Sequence, residues 1–149
     1  MALSIKPYIE NKERIHLIGI GGVSMNSLGE LLLSRGVPIS GSDRLRTDVT
    51  ARLEALGAKI TYEHKPENVE GASLIVRTAA VHDDNPEIVR AHELGIPVME
   101  RAEAWGHLMR DYDNVVCLAG THGKTTSTSM MTLMTMEAQM DPTVMVGSN

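Results

Sequence analysis

The chain has 149 residues, 42% hydrophobic and 22% charged, which suits one globular domain with an appendage. Fourteen basic against nineteen acidic residues give a net charge of −5, and only 3% are aromatic, so neither a basic surface nor stacking rings favour a nucleic-acid partner. There is no apolar run of about 18 residues and no N-terminal secretion pattern, and the single Cys117 leaves no internal disulfide, as expected for a cytoplasmic protein.

Residues 14–20, RIHLIGI, form a short apolar run ending in glycine, the pattern of a buried parallel strand. A helix is predicted over 23–36, with Met25, Leu28 and Leu32 at helical spacing and Gly36 as its stop. Residues 37–43 read as a second strand. Residues 48–57 read as a helix with Asp48 at its N-cap, Val49, Leu53 and Leu56 on one face, and Gly57 at its end. The rhythm then repeats: a strand at 58–62, a polar loop at 64–71, and a strand at 73–80. A helix follows, capped by Asn85 with Pro86 at its first position and Gly95 at its end. A strand at 96–100 and a helix at 101–110 complete the set. Such alternation predicts an α/β domain with a Rossmann-like, mostly parallel sheet and helices on both faces.

The polar stretch RDYDN, 110–114, reads as a linker, which divides the chain into 1–110 and 111–149. Beyond it come a strand at 115–119, a helix from about Lys124 to Met140 and a further strand at 143–147, the opening βαβ piece of a second, truncated domain. Met130, Leu133, Met134 and Met140 are assigned to core packing, as are Trp105 and a strand-buried Cys117.

Two glycine-containing corners carry the chemistry. In GIGGVSMNS, Gly19 and Gly21 fit the dinucleotide fingerprint, while Ser24 stands at its third glycine. Glycines let backbone N–H groups approach an anion, and the following helix start adds partial positive charge. Asp43 closes the next strand at the spacing of a ribose-binding acid. The motif leaves NAD, FAD and a nucleotide sugar open. The second corner, GTHGKTTST, lies between a predicted strand and helix, the setting of a phosphate loop. Leu118 stands where the strict motif has glycine, so this is a shorter variant. Gly120 and Gly123 free the backbone, Lys124 would meet the terminal phosphates, and Thr125 would ligate Mg²⁺.

The stretches HLIGIGGVSMNSLGELL, ISGSD, HKPENV, DNPEIVRAHELGIPVMERAE and AGTHGKTTST together resemble the Mur ligases of bacterial cell-wall synthesis. His122 and the GIGG of the first corner resemble the alanine-adding branch. The resemblance implies a Rossmann-like UDP-sugar domain followed by the start of a central ATP-binding domain. It also implies an ATP- and Mg²⁺-dependent ligation of L-alanine to UDP-N-acetylmuramate through an acyl phosphate, within peptidoglycan synthesis. On that reading Gly19, Ile20, Gly21, Gly22, Val23 and Ser24 hold the UDP diphosphate, and Ser42, Asp43, His64 and Arg101 contact the uridine and sugar. Gly120, Thr121, His122, Gly123, Lys124, Thr125 and Thr126 hold the ATP phosphates. Lys124 and the metal ligand Thr125 serve catalysis. The amino-acid site falls outside the chain, so the fragment is expected to bind substrate without ligating it and to form a homodimer through its tail. Residues 77–80, RTAA, depart from the family's serine pair before alanine. The rival readings are a non-catalytic NAD- or FAD-binding module, a small P-loop NTPase, and an oligomeric scaffold.

Overall fold

In the computed structural model, which describes residues 3–146, the short apolar runs become strands whose side chains are buried on both faces. The elements are α1 (Lys6–Glu10), β1 (Ile15–Ile18), α2 (Val23–Ser34), β2 (Ile39–Ser42), α3 (Asp48–Ala55), β3 (Lys59–Thr61), a 3₁₀ turn (Pro66–Val69), β4 (Leu74–Arg77), α4 (Pro86–Glu93), β5 (Val98–Glu100), α5 (Arg101–Met109) and α6 (Lys124–Glu137). The five strands form one wholly parallel sheet in the order β3-β2-β1-β4-β5, with Ile15 of β1 level with Ile39 on one side and Leu74 on the other.

Strand alternation sorts the core into two layers. Ile15, Leu17, Leu74 and Val76 share one face with Met25, Leu28 and Leu32 of α2, Leu53 of α3 and Leu108 of α5. Ile18 and Ile75 face the other side, against Val69 of the 3₁₀ turn and Ile88 and Ala91 of α4. The expected helices on both faces are therefore present. α1, which the sequence reading did not mark, adds Ile5 and Ile9 to the first layer.

Helix ends follow local chemistry. Asn85 caps α4 by accepting from the Glu87 amide, with Pro86 at the first position. Gly36, Gly57 and Gly95 all take positive φ where their helices stop. One cap differs from expectation: α3 is capped by Thr47, not Asp48, because the Thr47 and Thr50 hydroxyls exchange hydrogen bonds with each other's backbone amides. Asp48 is left to complement the helix dipole in the first turn. Of that helix's expected apolar face, Leu53 is buried, whereas Val49 and Leu56 are exposed.

The chain separates into two compact units, Met1–Tyr112 and Asp113–Asn149. The sheet lies wholly within the first. In the second, α6 is the regular element among the described residues. Residues 115–119 and 143–146, read as strands, carry no ladder, because no described neighbour supplies their hydrogen bonds; Gly147 lies outside the described residues. For the same reason Met130, Leu133, Met134 and Met140 are 60–71% exposed instead of forming core, and Cys117 is exposed instead of strand-buried.

Gly41 couples the sheet to the corner above it. A Cβ there would lie 2.6 Å from Ile20 Cδ1 and 2.8 Å from the Leu17 carbonyl oxygen, so Ile20 folds onto β2 only because the position is bare. Gly41→Ala is expected to cost about 1–3 kcal/mol through overpacking, read as a lower urea midpoint with unchanged slope.

Candidate functional site

The first corner forms where β1 runs out beside its neighbour. The amides of Gly19 and Ile20 both donate to the Ser42 carbonyl, at 2.8 and 3.1 Å, and that of Gly22 donates to the Gly19 carbonyl at 3.1 Å. The Gly21 amide donates to Asp43 Oδ2 at 2.8 Å. A Cβ on Gly21 would stand 2.9 Å from that oxygen and 3.2 Å from Thr50 Cγ2, so close approach is what requires glycine here. Asp43 Oδ1 accepts from the Arg44 and Leu45 amides, which folds the turn after β2.

These bonds bear on two sequence expectations. Four of the loop amides, those of Gly19, Ile20, Gly21 and Gly22, shape the corner instead of pointing into an open cradle. The start of α2 at Val23, with Gly22 as an N-cap lacking a side chain, remains as the anion-facing end. Asp43 has each carboxylate oxygen on a backbone amide, so it is a turn former and an internal anion, with one acceptor position still open on Oδ2. Ser24 lies in the first turn of α2, where its carbonyl accepts from Trp105 Nε1 at 3.3 Å; Trp105 packs partly buried against the core.

Behind the corner, on the α4 side of the sheet, lies a buried polar cluster. Glu87 has no exposed surface. Its Oε1 accepts from Asn68 Nδ2 at 2.7 Å and from His16 Nε2 at 3.3 Å. Its Oε2 accepts from Ser42 Oγ and His64 Nδ1, both at 2.7 Å. His16, 1% exposed, completes its ring bonding through Nδ1 and Ser40 Oγ at 2.9 Å. Glu87 also sits in the first turn of α4, where the helix start favours negative charge. Burial pushes its carboxyl up, but the hydrogen bonds from His16, Asn68, His64 and Ser42 outweigh this and hold it below the usual carboxylate range.

Ser42 and His64 were expected at the site, and the structure brings them together through Glu87. Glu87, His16 and Asn68 were missed. A signal existed for two of them: a histidine inside an apolar strand needs a buried partner, and an acid directly after an Asn-Pro helix start is placed to supply one. Arg101 opens α5, half-buried, with no ion pair or hydrogen bond among the described residues. Arg77, at the departure RTAA, is held by Glu100 at 3.0 Å and by Asp83, and both raise its pKa.

The second corner leads into α6 through Gly123, whose φ of 79° places the left-handed turn at the N-cap. Lys124 Nζ folds back to donate to the Gly120 carbonyl at 2.6 Å and lies 3.5 Å from that of Thr121. Thr121, His122, Thr125 and Thr126 are exposed around the same turn. The donor set suits a phosphate: a helix start, an ammonium and two hydroxyls. For Mg²⁺ it offers the Thr125 hydroxyl alone, and no cluster of three or more His, Cys, Asp or Glu that could hold a metal occurs among the described residues. That fits a metal bound chiefly through substrate phosphates and water.

A parallel sheet with a glycine corner at its switch point is the architecture of a known class: the chain belongs to the Mur ligase family, whose catalytic domain matches residues 14–113. It is similar to the UDP-N-acetylmuramate–L-alanine ligase of Clostridium novyi (strain NT), at 46% identity over 94% of this chain and 31% of the relative. Its fold superposes on the UDP-N-acetylmuramate-alanine ligase MurC of Thermotoga maritima with a TM-score of 0.85, at 36% identity over 91% of this chain and 32% of that one. The UDP-N-acetylmuramate:L-alanyl-gamma-D-glutamyl-meso-diaminopimelate ligase of Neisseria meningitides gives a TM-score of 0.84 at 26% identity, over 92% of this chain and 43% of that one. The chain thus spans about a third of the length of the curated relatives it matches. No described helix is long and apolar enough to cross a membrane.

The Glu87 cluster has a pH signature. Because its folded-state pKa is depressed, the unfolded chain binds more protons as acid is added. The carboxylate's contribution is therefore full above the unfolded value of about 4.3 and disappears as pH falls through the lower folded value. Urea midpoints measured from about pH 6 down to about pH 3, each limit within about 2 units of that reference, should fall for the wild type, and the Glu87→Gln chain should show a shallower decline.

Proposed function

We propose that the chain is the substrate-binding part of an ATP-dependent ligase that joins L-alanine to UDP-N-acetylmuramate in the cytoplasm, as a step of peptidoglycan synthesis. Residues 1–110 would hold the UDP-sugar and residues 111–149 would open the ATP-binding domain. The observation that carries the reading is the glycine corner at the point where the strand order turns from β1–β2 to β1–β4, the place where doubly wound sheets bind nucleotides. The names of the relatives then select a UDP-sugar over other nucleotides.

In this reading the diphosphate meets the start of α2 from Val23 onward, above the corner that Gly19 to Gly22 shape. His64 would offer a ring nitrogen, and Arg101, at the start of α5, a guanidinium with no ion pair among the described residues. ATP supplies the phosphoryl group that activates the substrate carboxylate, and Mg²⁺ offsets its charge. Lys124 would exchange the Gly120 carbonyl for phosphate oxygens, and Thr125 would supply its hydroxyl to the metal. Backbone amides at Gly120, Thr121, His122, Gly123 and Thr126 would complete the cradle.

Calorimetric titration with UDP-N-acetylmuramate, with ATP·Mg²⁺ as the comparison, tests the reading. Saturable binding of the UDP-sugar is expected, and equal or tighter binding of NADH would overturn it. The same 149 residues are expected to give no alanine-dependent phosphate release, and turnover at a rate above the buffer blank would refute that part.

The tail also bears on assembly. Met130, Leu133 and Met134, at helical spacing on α6, are 60–71% exposed. Such an apolar face favours a partner surface, and a homodimer through this segment is expected. Sedimentation should give a mass near twice that of the chain, lowered to the monomer by Leu133→Glu with Met134→Glu; a monomeric wild type would dismiss the dimer.

A further inference from the structure

The corner and the buried cluster meet at Ser42. Its carbonyl holds the Gly19 and Ile20 amides, while its hydroxyl reaches Glu87 on the opposite side of β2. His64, on the loop after β3, reaches the same carboxylate oxygen through Nδ1. Each Glu87 oxygen thus takes two donors, which accounts for all the acceptor positions a carboxylate has. Whatever faces Glu87 must bring a proton.

That requirement fixes the histidine. A neutral imidazole donates from one nitrogen and accepts at the other, and the choice is set by what the first nitrogen meets. Here Nδ1 meets an acceptor whose other positions are filled. Nδ1 also lies 3.3 Å from Ser42 Oγ, whereas the second nitrogen, Nε2, has no partner among the described residues and is not sealed from solvent. The ring as a whole is 20% exposed, whereas the carboxylate behind it is sealed.

We propose that Glu87 is a positioning residue for nucleotide recognition: it keeps the His64 Nδ1 protonated and the ring pinned, so that Nε2 is the nitrogen presented to the uridine-diphosphate part of the ligand. The inference rests on the UDP-sugar reading above, and it adds to that reading a residue that never touches the ligand. Asn68 supports the arrangement from the 3₁₀ turn, since its amide bridges the Glu63 carbonyl and Glu87, both at 2.7 Å, and so ties the two ends of the His64 loop to the same carboxylate. His16, wholly inside, meets the other carboxylate oxygen from the strand side, away from solvent.

The Glu87→Gln side chain keeps the shape but has a single oxygen, and its NH₂ would confront two donors. His64 or His16 must then turn over its proton or its ring. Two measurements on the full 149-residue chain test the proposal, with UDP as the probe. Proton–nitrogen correlation spectra of the histidine rings should find His64 Nδ1 protonated in the wild type at neutral pH and changed in Glu87→Gln. An unprotonated Nδ1 in the wild type overturns the proposal, even if no Glu87 variant folds. Calorimetry should find UDP bound about tenfold more weakly by Glu87→Gln, the loss of one well-placed hydrogen bond. That loss should vanish in a His64→Ala background, because the carboxylate acts through the ring. An equal loss in both backgrounds makes Glu87 a mere structural support and overturns the proposal. A wild type that does not bind UDP overturns the functional reading, and the ring spectrum then still decides whether Glu87 sets the His64 proton.

Discussion

A carboxylate taken out of water must be surrounded by donors, and in this protein the donors that Glu87 gathers come from four different parts of the chain. His16 comes from the central strand, Ser42 from the end of β2, His64 from the loop beyond β3, and Asn68 from the 3₁₀ turn. Each is a separate piece of chain whose position the others constrain. A buried ion of this kind adds little net stability compared with apolar packing, since removing the charge from water is costly. What it contributes is uniqueness of arrangement: no apolar side chain would demand a proton from each of these neighbours. The nucleotide corner inherits that definition through Ser42, whose backbone and side chain serve the two sides of one strand.

The corner itself is more self-contained than a glycine motif suggests. Ser42 and Asp43 absorb the amides of Gly19, Ile20 and Gly21 before any ligand arrives. The glycines are needed for clearance: Gly21 for the approach of Asp43, and Gly41 for the return of Ile20 over β2. An anion is then met by the helix start, a preorganised dipole that requires no rearrangement of the loop.

How far the fold could be read in advance follows from which forces are local. Strands such as residues 15–18 and 74–77 are short apolar runs, and helices such as α4 carry their own caps and stops, so these were legible. The cap of α3 was assigned one residue late because Thr47 and Thr50 settle it by a mutual exchange, a pairing that a single-residue preference for Asp does not contain. Burial in the second unit was misjudged for a different reason. Met130 and Leu133 have the right spacing for a core, but spacing says only which face is apolar and not that another surface covers it. Family likeness singled out Ser42 and His64 but not Glu87, whose contacts with both appear only when four distant segments converge.

α6 carries a last consequence. The hydroxyls of Thr128, Thr132 and Thr135 bond back to carbonyls one turn earlier in their own helix. Their protons are thereby committed to the helix, although each oxygen keeps lone pairs that can still accept, alongside the exposed thioethers of Met130, Met134 and Met136. Three protons that water would otherwise receive are kept within the helix, so this segment offers the solvent fewer donors than its hydroxyl-bearing letters suggest.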